Sequence, residues 1–288
     1  MKDLVSVCIP TYNGERYLQE ALDSVKKQTY TNIEVIISDD QSTDSTLAIC
    51  ERFRSEVNFP VKIVNHEPAG IGANWNNSVR HSTGLYIKFL FQDDILLPHC
   101  IETMLKYMHA SKLAIIASKR EIIDENSCVV KEGGWVEKYG DLQRGAGLEV
   151  QDFAVLTKQT IKNLKFGYII NSNMIGEPCV TMFTRELFNR IGPFSIALKQ
   201  MLDYEYWIRV LVKYKIGIIE EKLVCFRVHE EQTSYLTSLS KNNEADSIRQ
   251  TFYQKLLRYT GSDIKKSYYI EKYVFLKKIL LLKSKVKL

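Results

Sequence analysis

Short apolar runs alternate with helically spaced apolar positions through the first 118 residues. LVSVCI (4–9) is a continuous run with β-branched residues, the pattern of a buried strand. From Glu15 to Gln28, the residues Leu18, Ala21, Leu22 and Val25 fall at helical spacing. IEVIIS (33–38), VKIVN (61–65), LYIKFLF (85–91) and LAIIAS (113–118) predict four more strands. Helices are predicted between them: from a cap at Ser42 or Thr43 to about Phe53, over Asn74–Ser82, and from Pro98 to about Ser111. This alternation predicts an α/β fold with a mostly parallel central sheet flanked by helices.

The pattern loosens in the second half. Asp124-Glu125-Asn126-Ser127 between two apolar runs predicts a hairpin turn. Residues 132–147, rich in glycine and charge, read as a loop. A helix near 149–158, a loop around 167–178, the strand CVTMFT (179–184) and helices near 185–191 and 203–214 follow. A last strand region spans 216–229, and from Ser240 the chain is helical in pattern and lysine-rich. There is no internal repeat. The one boundary signal lies near 235–245, which divides the chain into a body, 1–238, and a basic helical extension, 239–288.

Composition narrows the classes. At 288 residues, 45% hydrophobic and 25% charged, the chain has the profile of a soluble globular protein with a sizeable core. Its six cysteines are scattered with no CxxC pair, which predicts buried, reduced thiols in a cytoplasmic protein. The start MKDLVSVCIP lacks the apolar core of a signal peptide, and no run of about 18 apolar residues predicts a transmembrane helix. The net charge of +5 belongs to one end: residues 265–288 hold eight lysines against Glu271 alone. The remainder is nearly neutral, so no nucleic-acid partner is expected. KKSYYIEKYVFLKKILLLKSKVKL fits a basic amphipathic helix on an anionic membrane, peripheral to the inner face. A helix packed on the body or a homodimer contact would use the same pattern.

In an open parallel sheet, ligands bind beyond the carboxyl ends of the strands. The polar clusters fall there: Pro10-Thr11-Tyr12-Asn13-Gly14-Glu15, Asp39-Asp40-Gln41-Ser42 and Gln92-Asp93-Asp94. No GxGxxG follows the first strand, and no GxxxxGK[ST] loop is present. A nucleotide's phosphates would therefore need a divalent cation held by carboxylates, a role that suits Asp93 and Asp94.

SVCIPTYNGERYLQEALDSVKKQT, IEVIISDDQSTDST and NNSVRHSTGLYIKFLFQDDILLP, followed by GEPCVTMFTRELFNRIGPF, LDYEYWIRV and CFRVHEEQTS, together resemble glycosyltransferase family 2 over roughly residues 4–235. The resemblance implies a GT-A fold and inverting transfer from a nucleotide sugar, most often a UDP-sugar. It implies a saccharide or lipid-linked saccharide acceptor, bacterial surface polysaccharide synthesis (O-antigen, capsule or exopolysaccharide), and a divalent metal, Mn2+ or Mg2+. It divides the body into a nucleotide-binding half, about 1–118, and an acceptor half, about 119–238. It assigns the donor nucleotide to Pro10, Tyr12, Asn13, Glu15, Asp39, Asp40, Asn76, Gln92 and Asp93. Asp39 would accept the imide N–H of uracil, Tyr12 would stack on the ring and Glu15 would take ribose hydroxyls. Asp94 and Glu177 would face the sugar or acceptor, Asp93 and His229 the metal, and Asp203 would be the general base.

Two positions depart from the family pattern: Phe91 stands where relatives carry the first aspartate of Asp-x-Asp-Asp, and Leu202 where an acid precedes the base. These departures raise a rival reading, a non-catalytic nucleotide-sugar-binding or scaffold protein of the same fold. Plain structural roles also remain open at this level. Asp39, Asp40 and Ser42 suit a turn and helix cap, and Asp203 an acid favoured by a helix N-terminus. Glu177 suits a pre-proline turn, His229 a structural histidine, Arg227 a strand-end charge as well as a diphosphate contact, and Trp75 the core. Glu205, spaced away from Asp203 on the helix, is expected to be solvated.

Overall fold

In a computed structural model of the protein, residues 3–163, 173–230, 232, 244–262, 264–266, 268, 269, 272 and 273 are described. The strands are β1 (Val5–Thr11), β2 (Ile33–Asp39), β3 (Val61–Asn65), β4 (Tyr86–Phe89), β5 (Ile95–Leu96), β6 (Ile115–Ile123), β7 (Phe153–Leu156), β8 (Thr181–Thr184) and β9 (Ile216–Arg227). The helices are α1 (Leu18–Lys26), α2 (Thr46–Glu56), α3 (Ile71–His81), α4 (Cys100–Ser111), α5 (Gly134–Tyr139), α6 (Leu142–Ala146), α7 (Arg185–Ile191), α8 (Leu202–Lys213) and α9 (Glu244–Leu256).

The sheet runs β3-β2-β1-β4-β8-β6-β9-β5, with β7 also on β9. β3, β2, β1 and β4 are mutually parallel, as are β6 and β9, while β8 is antiparallel to both β4 and β6. Every residue of β1 and β2 is buried, which is why they read as continuous apolar runs. Side chains still alternate: Val5, Val7 and Ile9 join the core under α1, α2 and α4, while Cys8 joins the core under α3, α7, α8 and α9. The register aligns Thr11 with Asp39, and Asp39 with Asn65, so three strands end level at one edge.

Several expectations are corrected. Residues 153–156 form β7, antiparallel to β9, within the segment expected to be helical. Four apolar residues do not distinguish the two periods, and an open edge of β9 decides for strand. The expected loop 132–147 contains α5 and α6. Its glycines bound the helices: Gly133 precedes α5 at φ +114°, and Gly147 ends α6 at φ +83°. The turn at 124–127 closes through Asp124 N–H to Cys128 O (2.9 Å), yet its second arm is a single bridge, Ile123 to Val129. α2 starts at Thr46, because Ser42 is committed to Asp39 instead. Cys128 is exposed and Cys225 half-buried, while Cys8, Cys50, Cys100 and Cys179 are buried.

Most of the expected boundary and the first half of the loop near 167–178 lie in segments outside the described residues, as does the tail from 274. Helix α9 is described. Its Ile248, Phe252 and Leu256 share the core with α8. Its Glu244 carboxylate accepts from the N–H groups of Lys199, Gln200 and Met201 (2.9, 3.0 and 3.2 Å), the turn just before α8. No helix among the described residues is long and apolar enough to cross a membrane.

Candidate active site

A cleft of about 1000 Å³ opens where β1, β2 and β4 end. The first half contributes Pro10, Tyr12, Asp40, Trp75, Gln92 and Asp93, and the second half Arg120, Trp135, Asn173, Glu177 and Asp203.

The rim of the first half is cross-braced. Tyr12, 57% exposed, is held at its backbone by Gln92: its N–H donates to Gln92 Oε1 (2.8 Å), and its carbonyl accepts from Gln92 Nε2 (3.1 Å). Gly14 permits this approach, since a Cβ there would sit 2.5 Å from Gln92 Oε1. Asn13, at φ +45°, donates its N–H to Ser42 Oγ (2.8 Å) and accepts from Thr43 N–H (2.9 Å). The Glu15 carboxylate accepts from Ser45 N–H (2.8 Å) at the start of α2. Asp39, fully buried, accepts from Thr11 Oγ1 (2.8 Å), Ser42 Oγ (2.6 Å) and Ser42 N–H (2.8 Å). Asn76 is bonded twice to the backbone of Phe194 (2.8 and 2.9 Å). Asp39 and Asn76 are thus buried behind the cleft wall, and Asn13 and Glu15 are exposed but do not line the cleft. Asp40 reaches the cleft and meets His66 Nδ1 at 2.5 Å. Burial lifts the Asp40 carboxyl above its ordinary value, and His66 opposes the lift.

After β4, Asp93 Oδ2 lies 3.2 Å from His229 Nε2. Arg227, wholly buried, fixes this loop by donating to Asp93 O (2.8 Å), and also binds Asp124 O, Ser127 Oγ and Glu20. It is a clamp and does not line the cleft. Asp94 is buried out of the cleft and accepts from Arg227 N–H (3.0 Å). Burial, and then the Asp93 charge, push its carboxyl well above the usual range. Phe91 stacks on Trp75 with centroids 5.0 Å apart and planes at 23°, so this position adds an aromatic wall to the cleft. A carboxylate oxygen and an imidazole nitrogen in contact are donors of the kind that would hold a divalent cation. Among the described residues no group of three such side chains forms, so the metal would rest on this pair.

Across the cleft, Asp203 stands in the first turn of α8. Its Oδ1 accepts from Tyr204 N–H (2.7 Å) and its Oδ2 from Asn173 Nδ2 (2.8 Å). Burial first, and then the Glu177 charge, push its carboxyl up to about 7. Leu202 is buried toward α3, where a Cβ on Gly72 would meet its Cδ1 at 3.1 Å. Glu205 is not solvated as expected: it pairs with Arg209 at 2.8 Å and its side chain is 16% exposed. Glu177 forms an ion pair with Arg120, and its loop is pinned by Trp207 Nε1 donating to Gly176 O (2.8 Å). His66, Arg120, Trp135 and Asn173 carry no sequence motif. Arg120 follows a register shift of β6 on either side of Lys119, an irregularity that only the folded pairing with β9 reveals.

The sequence model described as glycosyl transferase family 2 matches residues 6–162. The chain belongs to this family. Relatives of this glycosyltransferase include an uncharacterised glycosyltransferase of Rickettsia typhi, 29% identical over 257 residues, spanning 88% of this chain and 73% of the relative. They also include the UDP-Glc:alpha-D-GlcNAc-diphosphoundecaprenol beta-1,3-glucosyltransferase WfgD of Escherichia coli, 26% identical over 273 residues, spanning 94% and 92%. Among solved structures, S. aureus TarS 1–349 in complex with UDP-GlcNAc is similar with a TM-score of 0.62 at 18% identity, over 88% of this chain and 73% of that one. The mannosyltransferase PcManGT of Pyrobaculum calidifontis, in complex with GDP-Man and Mn2+, has a TM-score of 0.56 at 18% identity, over 90% and 63%. The fold of the family 2 glycosyltransferase is therefore GT-A.

Proposed function

We propose that this glycosyltransferase moves a sugar from a UDP-sugar, with inversion, to a hydroxyl of a saccharide or lipid-linked saccharide in bacterial surface polysaccharide synthesis. One observation carries the reading: Asp93, in contact with His229, and Asp203 line opposite halves of one cleft. The names of WfgD and of the TarS complex, which carry UDP-sugars, and the lipid-linked acceptor in the former, support the substrate classes.

Tyr12 and Pro10 meet the nucleoside, while Asp39, buried behind the rim, braces the Ser42 turn and does not line the cleft. Gln92, Asn13, Glu15 and Asn76 hold the loops around the nucleoside. Asp93 and His229 would hold the divalent metal, which when bound supplies countercharge to the departing diphosphate. Asp203 removes the proton of the acceptor hydroxyl as that oxygen bonds to the anomeric carbon. The bond from that carbon to the diphosphate breaks on the opposite face, and UDP leaves with the electron pair. A carboxyl at about 7 is near half ionised at neutral pH, which suits a general base. Asn173 fixes its orientation. The positions that prompted a non-catalytic reading, Phe91 and Leu202, are accounted for by packing on Trp75 and α3.

A thermal-shift screen of UDP-, GDP- and dTDP-sugars, with and without Mn2+, tests the donor. UDP-sugars should raise the melting midpoint, more so with Mn2+. Equal responses to all nucleotides, or none to any, would remove the UDP assignment.

A further inference from the structure

The acceptor half of the cleft holds a cluster that the transfer step does not use. Helix α5 brings Trp135 and Tyr139 to the cleft with rings 5.3 Å apart. The indole lies nearly parallel to Phe226 (6.0 Å, 9°), and 37% of Trp135 stays open. Below it sits Arg120, 4% exposed, with its guanidinium 4.7 Å from the Phe226 ring and 6.0 Å from the Trp135 ring. Arg120 pairs with Glu177 and donates to Tyr139 O (3.1 Å), while its Nε has no partner among the described residues. Glu177 is close enough to Asp203 for its charge to act there. A continuous path thus runs from the indole through Arg120 and Glu177 to the base.

We propose that Trp135 and Tyr139, with Arg120 and Glu177 at their foot, form the acceptor subsite, and that its occupant is a pyranose ring. The assignment rests on the transfer reading above and names the acceptor class within it. A pyranose has an apolar C–H face and a rim of hydroxyls. An exposed ring face beside a carboxylate and a guanidinium matches both parts. A hydrocarbon chain would match the rings and leave the ion pair unused. A nucleoside base would match the rings as well, but Tyr12, Asp40 and Asp93 lie on the other half of the cleft. The subsite places the sugar beside Asp203, where one of its hydroxyls can be deprotonated.

The test is saturation-transfer NMR on the full chain. The probes are octyl α- and β-glycosides of glucose, galactose and N-acetylglucosamine, with octanol as the control. Ring C–H protons should receive saturation in the wild type. Trp135→Ala should weaken glycoside binding at least fivefold, and Trp135→Phe should retain most of it. Both variants should keep the UDP-induced shift in melting midpoint. Absence of ring signals for every glycoside, a signal confined to the octyl chain, or binding unchanged by Trp135→Ala would overturn the subsite. Loss of the UDP shift in Trp135→Ala would move Trp135 to the donor and overturn it too. A wild type that binds glycosides through Trp135 but responds to no nucleotide would keep the subsite and remove the transfer reading.

Discussion

Asp39 and Asp203 stand in opposite halves of the cleft and are treated differently by the fold. Asp39 is shut behind the rim and accepts three hydrogen bonds from Thr11 and Ser42. Asp203 lines the cleft, accepts from Tyr204 and Asn173, and is pushed up to about 7 by burial and Glu177. The first half is a braced frame in which strand-end side chains tie one loop to the next. The second half concentrates charge that the protein compensates less completely. Rigidity suits recognition of a fixed nucleotide, and an under-compensated carboxylate suits proton removal.

The sharpest way to break this comparison is Asp203→Asn. Transfer should fall by about a thousandfold, within the range for loss of a general base, with the UDP shift retained. Residual transfer near wild type would exclude Asp203 as the base. In the wild type, the rate should rise with pH through about 7 and level off above it, as the base ionises. Stability should run the other way. From about 3.8 to about 7 the folded carboxyl keeps a proton that the unfolded one has released, so raising the pH destabilises the fold. Asp203→Asn removes that penalty, and its melting midpoint relative to wild type should climb across the same window. A midpoint difference flat with pH would contradict the raised pKa.

Asp39→Asn should act chiefly on stability. An amide cannot reproduce three bonds to a carboxylate, so the loss should be about 2 kcal/mol. Denaturant unfolding measures it, and an unchanged midpoint would mean that the rim is not braced there. Glu15→Ala is the smallest change. Loss of an acceptor at the α2 N-terminus should cost about 1 kcal/mol with the transfer rate preserved. A weakened UDP response with stability intact would instead make Glu15 a ribose contact.

Legibility followed the same division. The boundaries of β2 and β3 were readable to within one residue: β2 is buried along its whole length and reads as a near-continuous apolar run, and β3, a half-exposed edge strand, still sets Val61, Ile63 and Val64 between polar residues. The rim residues followed from strand ends and sheet rules. In the second half, β7 depends on an edge of β9 at least 60 residues away, and no local pattern reports that pairing. Asp93 and Asp203 were readable as carboxylates after a strand and at a helix start. His66, Asn173 and Arg120 were not, since their partners lie 26, 30 and 57 positions away.

The sequence by itself determined the strand–helix alternation, the parallel sheet and the placing of residues 10–15, 39–42 and 92–94 at its edge. Periodicities of two and 3.6 record burial directly in the order of residues. Only the tertiary structure decided which of those polar groups brace the rim and which face the cleft. It turned Phe91 into a wall with Trp75, joined Asp93 to His229 and raised the pKa of Asp203. Contacts and ionisation depend on desolvation and on charges brought near by the fold, and sequence spacing carries no record of either.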